Sequence, residues 1–196
     1  TRLVVSYVVF NSGKISSRLI FYNFSNEETS SEPAGSFDFE ELFPRLEFVS
    51  DETVLACGTT DFHTYRFKDT VSEKYSQTFA SEAKSIFITD KHIGIITKNT
   101  EEAEEGQEVD KYVVEAYRFS GGRAARFSFN FDYKSVSASN SEIIFYDDQE
   151  CEVYTYWGYK KFQYAFEHNI ESILPATKSG EYILLDAQSM QTIRLK

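Results

Sequence analysis

Short apolar runs recur along the chain, each preceded by a polar turn and followed by a second strand-like stretch. The turns begin at Asp51, Asp90, Asn140 and Ser179, so successive turns are 39, 50 and 39 residues apart. The long step contains an acidic insertion at residues 100–111, and removing it brings that step close to the other two. The apolar runs lie at residues 54–56, 93–96, 143–145 and 182–185. A repeat of about 40 residues built from short strands predicts an all-β fold of the β-propeller type.

Three complete repeats divide into a link strand, an apolar strand, an aromatic strand and an outer strand. Their aromatic strands correspond, because Tyr65, Tyr117 and Tyr154 occupy the same place in each repeat. This agreement supports the repeat more strongly than its period does. The predicted strands are 46–49, 53–57, 62–67 and 74–79 in the first repeat, 85–89, 93–97, 112–119 and 125–131 in the second, and 135–138, 142–146, 152–157 and 161–166 in the third.

The start of the chain predicts a hairpin of residues 3–10 and 17–23, in which Asn11 and Gly13 supply the positive φ of a tight turn. A polar loop follows, and then a strand with alternating acids and phenylalanines. Residues 40–43 predict one helical turn.

The last unit begins at Ile173 and contains three strands, as does the first unit. The complete count is eighteen strands, or about four and a half four-stranded antiparallel blades. A closed ring has whole blades, so we expect one partial propeller domain that does not close neatly alone. The approximate blade boundaries are 1–44, 45–83, 84–133, 134–169 and 170–196.

Composition fits this fold and narrows the classes of partner. The chain has 18 Phe and 13 Tyr but one Met and three Pro, which suits strands that pack flat rings together. The formal net charge is −11, so the electrostatic field repels phosphate groups, and we exclude nucleic acid and anionic membranes as partners. Six acids lie within residues 101–110, so more than half of this charge belongs to one loop.

The two cysteines and the ends of the chain give weaker signals. Cys57 and Cys151 occupy different offsets in their repeats, so we expect no disulfide and an inert, buried thiol at Cys57. The sequence contains neither an apolar run of about 18 residues nor a signal peptide. It lacks an initiator methionine and opens within an apolar run at residues 3–5, so we expect a piece of a longer protein.

Residues 3–7 and 18–22, together with Gly-Glu-Tyr-Ile-Leu-Leu-Asp at 180–186, resemble an uncharacterised family of propeller domains from Gram-positive bacteria. The resemblance implies an N-terminal membrane helix followed by an extracytoplasmic propeller of seven or eight blades. It also implies that this chain is the C-terminal part of such a domain, with the missing outer strand supplied by the N-terminus. The family offers no activity and no catalytic motif to transfer.

Residues typical of catalysis or metal binding are scattered. His63, His92 and His168 have no metal ligand at a typical spacing, and hydrolase and nucleotide-binding motifs are absent from the sequence. Residues 147–150 and 101–110 could supply oxygen ligands to a cation, but neither has the alternate spacing and glycine of a calcium loop. We favour solvated acidic hairpins there, and we expect no catalytic residue, metal or cofactor.

The densest aromatic patch supplies the candidate binding surface. Most of its side chains are expected to pack between blades, but Trp157 and Tyr159 flank a turn at Gly158, where burial is harder. We take Trp157, Tyr159 and Tyr154 as candidate binding residues. The patch consists of Tyr154, Tyr156, Trp157, Tyr159, Tyr164 and Phe166.

The pattern favours a non-catalytic binding or scaffold domain of the bacterial cell envelope, whose ligand is a protein or a glycan. The alternative is a propeller-type enzyme, quinoprotein-like or glycan-active, whose site forms only in a complete ring. A third hypothesis is an intracellular interaction propeller. Its strand rhythm would be WD40-like, but the chain lacks the Gly-His and Trp-Asp pairs of those repeats. Open blade edges also predict self-association.

Overall fold

A computed structural model describes residues 1–11, 13–24, 32–100 and 109–195. All regular secondary structure in these ranges is β-strand, which confirms the predicted all-β class. The described part of the chain contains eighteen strands in five antiparallel sheets of three, four, four, four and three strands. No helix in these ranges is long and apolar enough to cross a membrane.

The first of two compact units comprises residues 1–82 and 119–121. Strands adjacent in sequence pair with each other in both of its sheets. The three-stranded sheet contains β1 (Arg2–Asn11), β2 (Lys14–Asn23) and β3 (Gly35–Phe39), and the four-stranded sheet contains β4 (Arg45–Ser50), β5 (Thr53–Cys57), β6 (Asp61–Phe67) and β7 (Val71–Thr78).

The second unit comprises the described residues of Ala83–Arg118 and Gly122–Lys196. One four-stranded sheet contains β8 (Ala83–Ile88), β9 (His92–Lys98), β10 (Tyr112–Arg118) and β11 (Arg123–Phe129), and the other contains β12 (Ser135–Ala138), β13 (Glu142–Tyr146), β14 (Glu150–Thr155) and β15 (Lys160–Ala165). The three-stranded sheet contains β16 (Ser172–Pro175), β17 (Glu181–Leu185) and β18 (Met190–Arg194).

The second strand of each four-stranded sheet is buried along nearly its whole length, which explains the apolar runs in the sequence. The third and fourth strands of these sheets share one irregularity. Their register shifts between Thr64 and Tyr65, between Ala116 and Tyr117, and between Val153 and Tyr154. A β-bulge at the same place in three sheets is structural evidence for the repeat.

The predicted helical turn at residues 40–43 is wrong, because these residues are irregular and connect β3 to β4. Phe43 precedes Pro44, and a residue before proline disfavours the helical conformation. In addition, the carboxylate of Glu41 accepts hydrogen bonds from the backbone amides of Thr59 and Thr60, both at 2.7 Å.

Candidate binding surface

The turn between β14 and β15 presents two exposed aromatic side chains on a hydrogen-bonded backbone. Trp157 is 67% exposed and Tyr159 is 74% exposed. The amide of Thr155 donates to the carbonyl of Tyr159 at 2.8 Å, and the amide of Tyr159 donates to Oγ1 of Thr155 at 3.1 Å. We call Trp157, Gly158 and Tyr159 the aromatic turn.

Gly158 is required both by its backbone conformation and by the adjoining sheet. Its φ is 87°, which is in the left-handed region. A Cβ atom at this position would lie 2.4 Å from Cβ of Phe127 on β11, so the backbone of the turn rests directly on that side chain. The close approach fixes the backbone that carries both exposed aromatics.

Tyr156 immediately precedes the aromatic turn and packs against residues of neighbouring strands and turns. Its side chain is buried, its ring centroid lies 4.8 Å from that of His92, and its amide donates to the carbonyl of Ser141 at 3.1 Å. Burial lowers the pKa of His92, and the charges of Arg118 and Lys91 lower it further. A neutral imidazole therefore lies against the Tyr156 ring at pH 7.

Tyr154 does not belong to the exposed surface, which corrects the sequence-based assignment. It is 6% exposed, and its ring stacks on Phe127 with a centroid distance of 5.5 Å. Its hydroxyl donates to the Glu152 carboxylate at 2.7 Å. Because Tyr154 lies within β14 and faces the adjacent sheet, its ring is covered, whereas Trp157 and Tyr159 lie in the turn beyond the strand.

His63 lies in a cluster of charged groups that the sequence did not indicate. Its Nδ1 is 2.8 Å from Oε1 of Glu73 and its Nε2 is 3.2 Å from Oδ2 of Asp61. Its ring also contacts those of Phe39 and Phe43. Burial opposes the charged form, but hydrogen bonds and charge attraction from both carboxylates raise the pKa of His63 overall.

His63 lies two positions before the tyrosine that the repeats share. The other two four-stranded sheets also have a polar residue at the position two before that tyrosine. There it is an acid, Glu115 or Glu152, paired with a base of the outer strand. Arg123 contacts Glu115 at 2.6 Å, and Lys160 pairs with Glu152. The aligned aromatic strands show a polar residue at this position in every repeat. Only the structure shows that it pairs with a charged residue of the outer strand.

The remaining candidate residues act as turn formers or lie apart. Asp90 of one inner-strand turn accepts a hydrogen bond at 2.9 Å from Nδ2 of Asn140 in another, whereas Asp51 lies in the other unit. Asp147 accepts the amides of Gln149 and Glu150 at 2.8 and 2.7 Å, so its carboxylate closes a turn. Within the described ranges, no three His, Cys, Asp or Glu side chains converge as a metal site would require.

The acidic insertion and the cysteines complete the set of candidate groups. Most of the acidic insertion, residues 101–108, lies outside the described residues. Cys57 and Cys151 are free and buried, and burial raises the pKa of each thiol to about 12. Neither thiol is therefore a ready nucleophile at neutral pH.

The fold is shared with proteins of the β-propeller type, which confirms the predicted class. BBS1N, solved in complex with ARL6DN, is 9% identical with a TM-score of 0.53, and the match covers 100% of this chain and 62% of that one. The N-terminal domain of Nup159 is 9% identical with a TM-score of 0.50, covering 89% of this chain and 51% of that one. This chain thus spans less than two thirds of the length of either.

A functionally unknown protein from Desulfotomaculum acetoxidans is also similar, with 12% identity, a TM-score of 0.56, and coverage of 90% of this chain and 58% of that one. No curated protein matches the chain. The chain belongs to the DUF5711 family, a family of unknown function that matches residues 1–195.

Proposed function

We propose that this chain is a non-catalytic binding domain of the bacterial cell envelope, and that it holds a protein partner on the aromatic turn. The observation that carries the proposal is the exposure of Trp157 and Tyr159 on a turn whose backbone is fixed by hydrogen bonds and by the close approach of Gly158 to Phe127. Large aromatic side chains on a rigid support lose little entropy on binding and dominate the energetics of protein interfaces.

A protein fits this surface better than a glycan does. Sugar recognition combines stacked rings with hydrogen-bonding groups directed at the hydroxyls, and two polar side chains beside the turn already have hydrogen-bond partners. Oγ1 of Thr155 accepts the amide of Tyr159, and the carboxylate of Glu152 accepts Tyr154 and Lys160. The complex of BBS1N with ARL6DN supports protein binding by folds of this type in general terms.

The cell-envelope location follows from the sequence resemblance and is part of the proposal. In the full-length protein, produced in a Gram-positive host, we expect this domain to be degraded when protease is added to intact cells. Protection in intact cells, with degradation only after lysis, would contradict an extracytoplasmic location.

Photo-crosslinking tests the binding surface. We expect p-benzoyl-phenylalanine at position 157 to form an adduct of discrete mass with one envelope protein. The same group at Tyr164, an exposed aromatic on β15, serves as the matched control and should give no such adduct. Adducts that a peptidoglycan hydrolase removes would favour a glycan, and equal adducts at both positions would contradict a site at the turn.

A further inference from the structure

The strands of the second unit end at two edges that differ in charge. His92 of β9 and Arg118 of β10 are register partners at one edge. The ring centroid of Tyr156, immediately before the aromatic turn, lies 4.8 Å from that of His92, so we call this edge the aromatic edge. At the opposite edge, Lys98 and Tyr112 are register partners. Acids collect there around the β13–β14 turn and after β15 and β17, at Asp147, Asp148, Glu150, Glu167, Glu171 and Asp186.

Two basic side chains of the aromatic edge lack an acidic partner. Lys91 and Arg118 are exposed, and neither forms an ion pair with a residue that the structure describes. Burial lowers the pKa of His92 and the charges of Arg118 and Lys91 lower it further, so both charges reach the imidazole beside the aromatic turn. Asp90 precedes Lys91, but its carboxylate accepts a hydrogen bond from Asn140 at 2.9 Å. We call Lys91 and Arg118 the basic pair.

The lysines that follow the aromatic turn are already paired. Lys160 contacts the Glu152 carboxylate, and Lys161 contacts the Glu142 carboxylate. Both acids are buried, so each needs its lysine as a counter-charge, and neither lysine has positive charge to spare for a ligand. Among these four bases, the uncompensated positive charge therefore belongs to the basic pair.

We propose that the partner segment held on the aromatic turn is acidic and that the basic pair selects it, an inference that rests on the proposed function. Exposed charges at the rim of an interface contribute mainly to specificity and to the rate of association. The net charge of −11 repels an acidic segment from the chain as a whole, so the basic pair also orients its approach toward the aromatic turn. A neutral or basic segment would leave both bases without a counter-charge.

The acids of the opposite edge do not supply this counter-charge. β9 is seven residues long, and six steps of about 3.3 Å place the two edges about 20 Å apart, roughly twice the screening length at 0.1 M salt. The acidic insertion begins and ends at that far edge, where the amide of Asn99 donates to the carbonyl of Lys111 at 2.8 Å. The aromatic turn and the basic pair belong to sheets that already have four strands, so no further strand is needed to complete them. We therefore assign the counter-charge to a separate protein.

Crosslinking at position 157 identifies the charge of the partner segment. In the full-length protein with p-benzoyl-phenylalanine at this position, fragmentation mass spectrometry should place the adduct in a segment where Asp and Glu outnumber Lys and Arg. An adduct with a neutral or basic segment, with a glycan, with a second copy or within the same chain overturns the inference. Absence of any adduct overturns the proposed function itself, so the two failures are distinguishable.

The crosslinked segment, made as a fluorescent synthetic peptide, is the probe for the basic pair. Its analogue with every Asp changed to Asn and every Glu to Gln should bind at least about tenfold more weakly in fluorescence anisotropy. Lys91→Glu and Arg118→Glu should each reduce this preference to less than about threefold, whereas Lys91→Arg should retain it. Lys98→Glu, at the other end of β9, makes the same change in charge and is the matched control. Equal preferences in the three Glu variants overturn the inference.

Further measurements separate selection by charge from misfolding and from loss of the aromatic contact. Thermal melting verifies that each variant is folded. Trp157→Ala should weaken the binding of both peptides and leave the ratio of their affinities unchanged. In NMR titrations of the wild-type chain, the acidic peptide should raise the pKa of His92 because its carboxylates offset the charge of the basic pair, and the amide analogue should not. A pKa of His92 that the acidic peptide leaves unchanged overturns the inference.

Discussion

All three four-stranded sheets have a pair of charged residues across their third and fourth strands, but in the sheet of His63 the acid and the base have exchanged strands. Glu115 and Glu152 place the acid on the third strand and the base on the fourth, whereas His63 places the base on the third strand between Asp61 and Glu73. The His63 side chain is 13% exposed, so these contacts are only partly screened by water. The stability of this sheet therefore depends on the protonation of one imidazole.

We expect stability to fall as the pH rises above about 6.5, because the folded-state pKa of His63 is raised above its unfolded value. The stabilisation is complete below the unfolded pKa and is lost as the pH rises through the folded pKa. In thermal melts, the melting temperature of the wild-type chain should fall as the pH rises, and the melting temperature of His63→Gln should fall with a smaller slope. Equal slopes in the two proteins would show that His63 does not cause the dependence.

Two buried tyrosines provide a matched pair for measuring one hydrogen bond. The Tyr182 hydroxyl donates to the buried Glu142 carboxylate at 2.8 Å, whereas the Tyr65 hydroxyl is buried with no hydrogen-bond partner among the described residues. We expect Tyr182→Phe to lower the free energy of unfolding by about 1.5–3 kcal/mol and Tyr65→Phe to be nearly neutral or stabilising. Chemical denaturation measures both, and equal effects would contradict the assigned partners.

Two residues show where prediction from the sequence fell short. Tyr154 belongs to the predicted aromatic patch, but its burial depends on Phe127, which comes from another sheet. His63 appeared isolated because its partner Glu73 lies ten positions away, and the register shift between Thr64 and Tyr65 sets their spacing. Local patterns contain neither the bulge nor the contact between sheets.

At the scale of elements, the inner strands were predictable because they are buried on both faces and read as continuous apolar runs. Gly94 interrupts one such run because the ring of Phe87 on the neighbouring strand lies directly over it. A Cβ atom there would lie 2.0 Å from the Phe87 ring, which covers the glycine across the β8–β9 pair. The pattern predicted the strand, and the structure explained its glycine.

The aromatic turn should be more sensitive to substitution than a glycine turn in open space. Gly13 and Gly158 both have positive φ, 81° and 87°, but a Cβ atom at Gly13 meets nothing within 4 Å. We expect Gly13→Ala to cost about 1 kcal/mol from backbone strain, and Gly158→Ala about 2–4 kcal/mol because it also displaces Phe127. Equal losses in denaturant melts would show that the contact with Phe127 adds nothing.

At the scale of the whole molecule, β1 is an edge strand of its three-stranded sheet within the described residues. The β1 edge is ten residues long and carries exposed Val8 and Phe10. Long apolar edges recruit other chains, so we expect weak self-association at high concentration. Val8→Lys should reduce it in light scattering while Val8→Thr should not, and a concentration-independent monomer would contradict the prediction.

The central claim is that the aromatic turn holds a protein partner, and the affinity of that partner tests it most directly. With the protein recovered by crosslinking at position 157, calorimetry should show at least about tenfold weaker binding to Trp157→Ala and to Tyr159→Ala. Tyr164→Ala, the matched control on β15, should bind within about twofold of the wild-type chain. Equal affinity for all four proteins would contradict the claim.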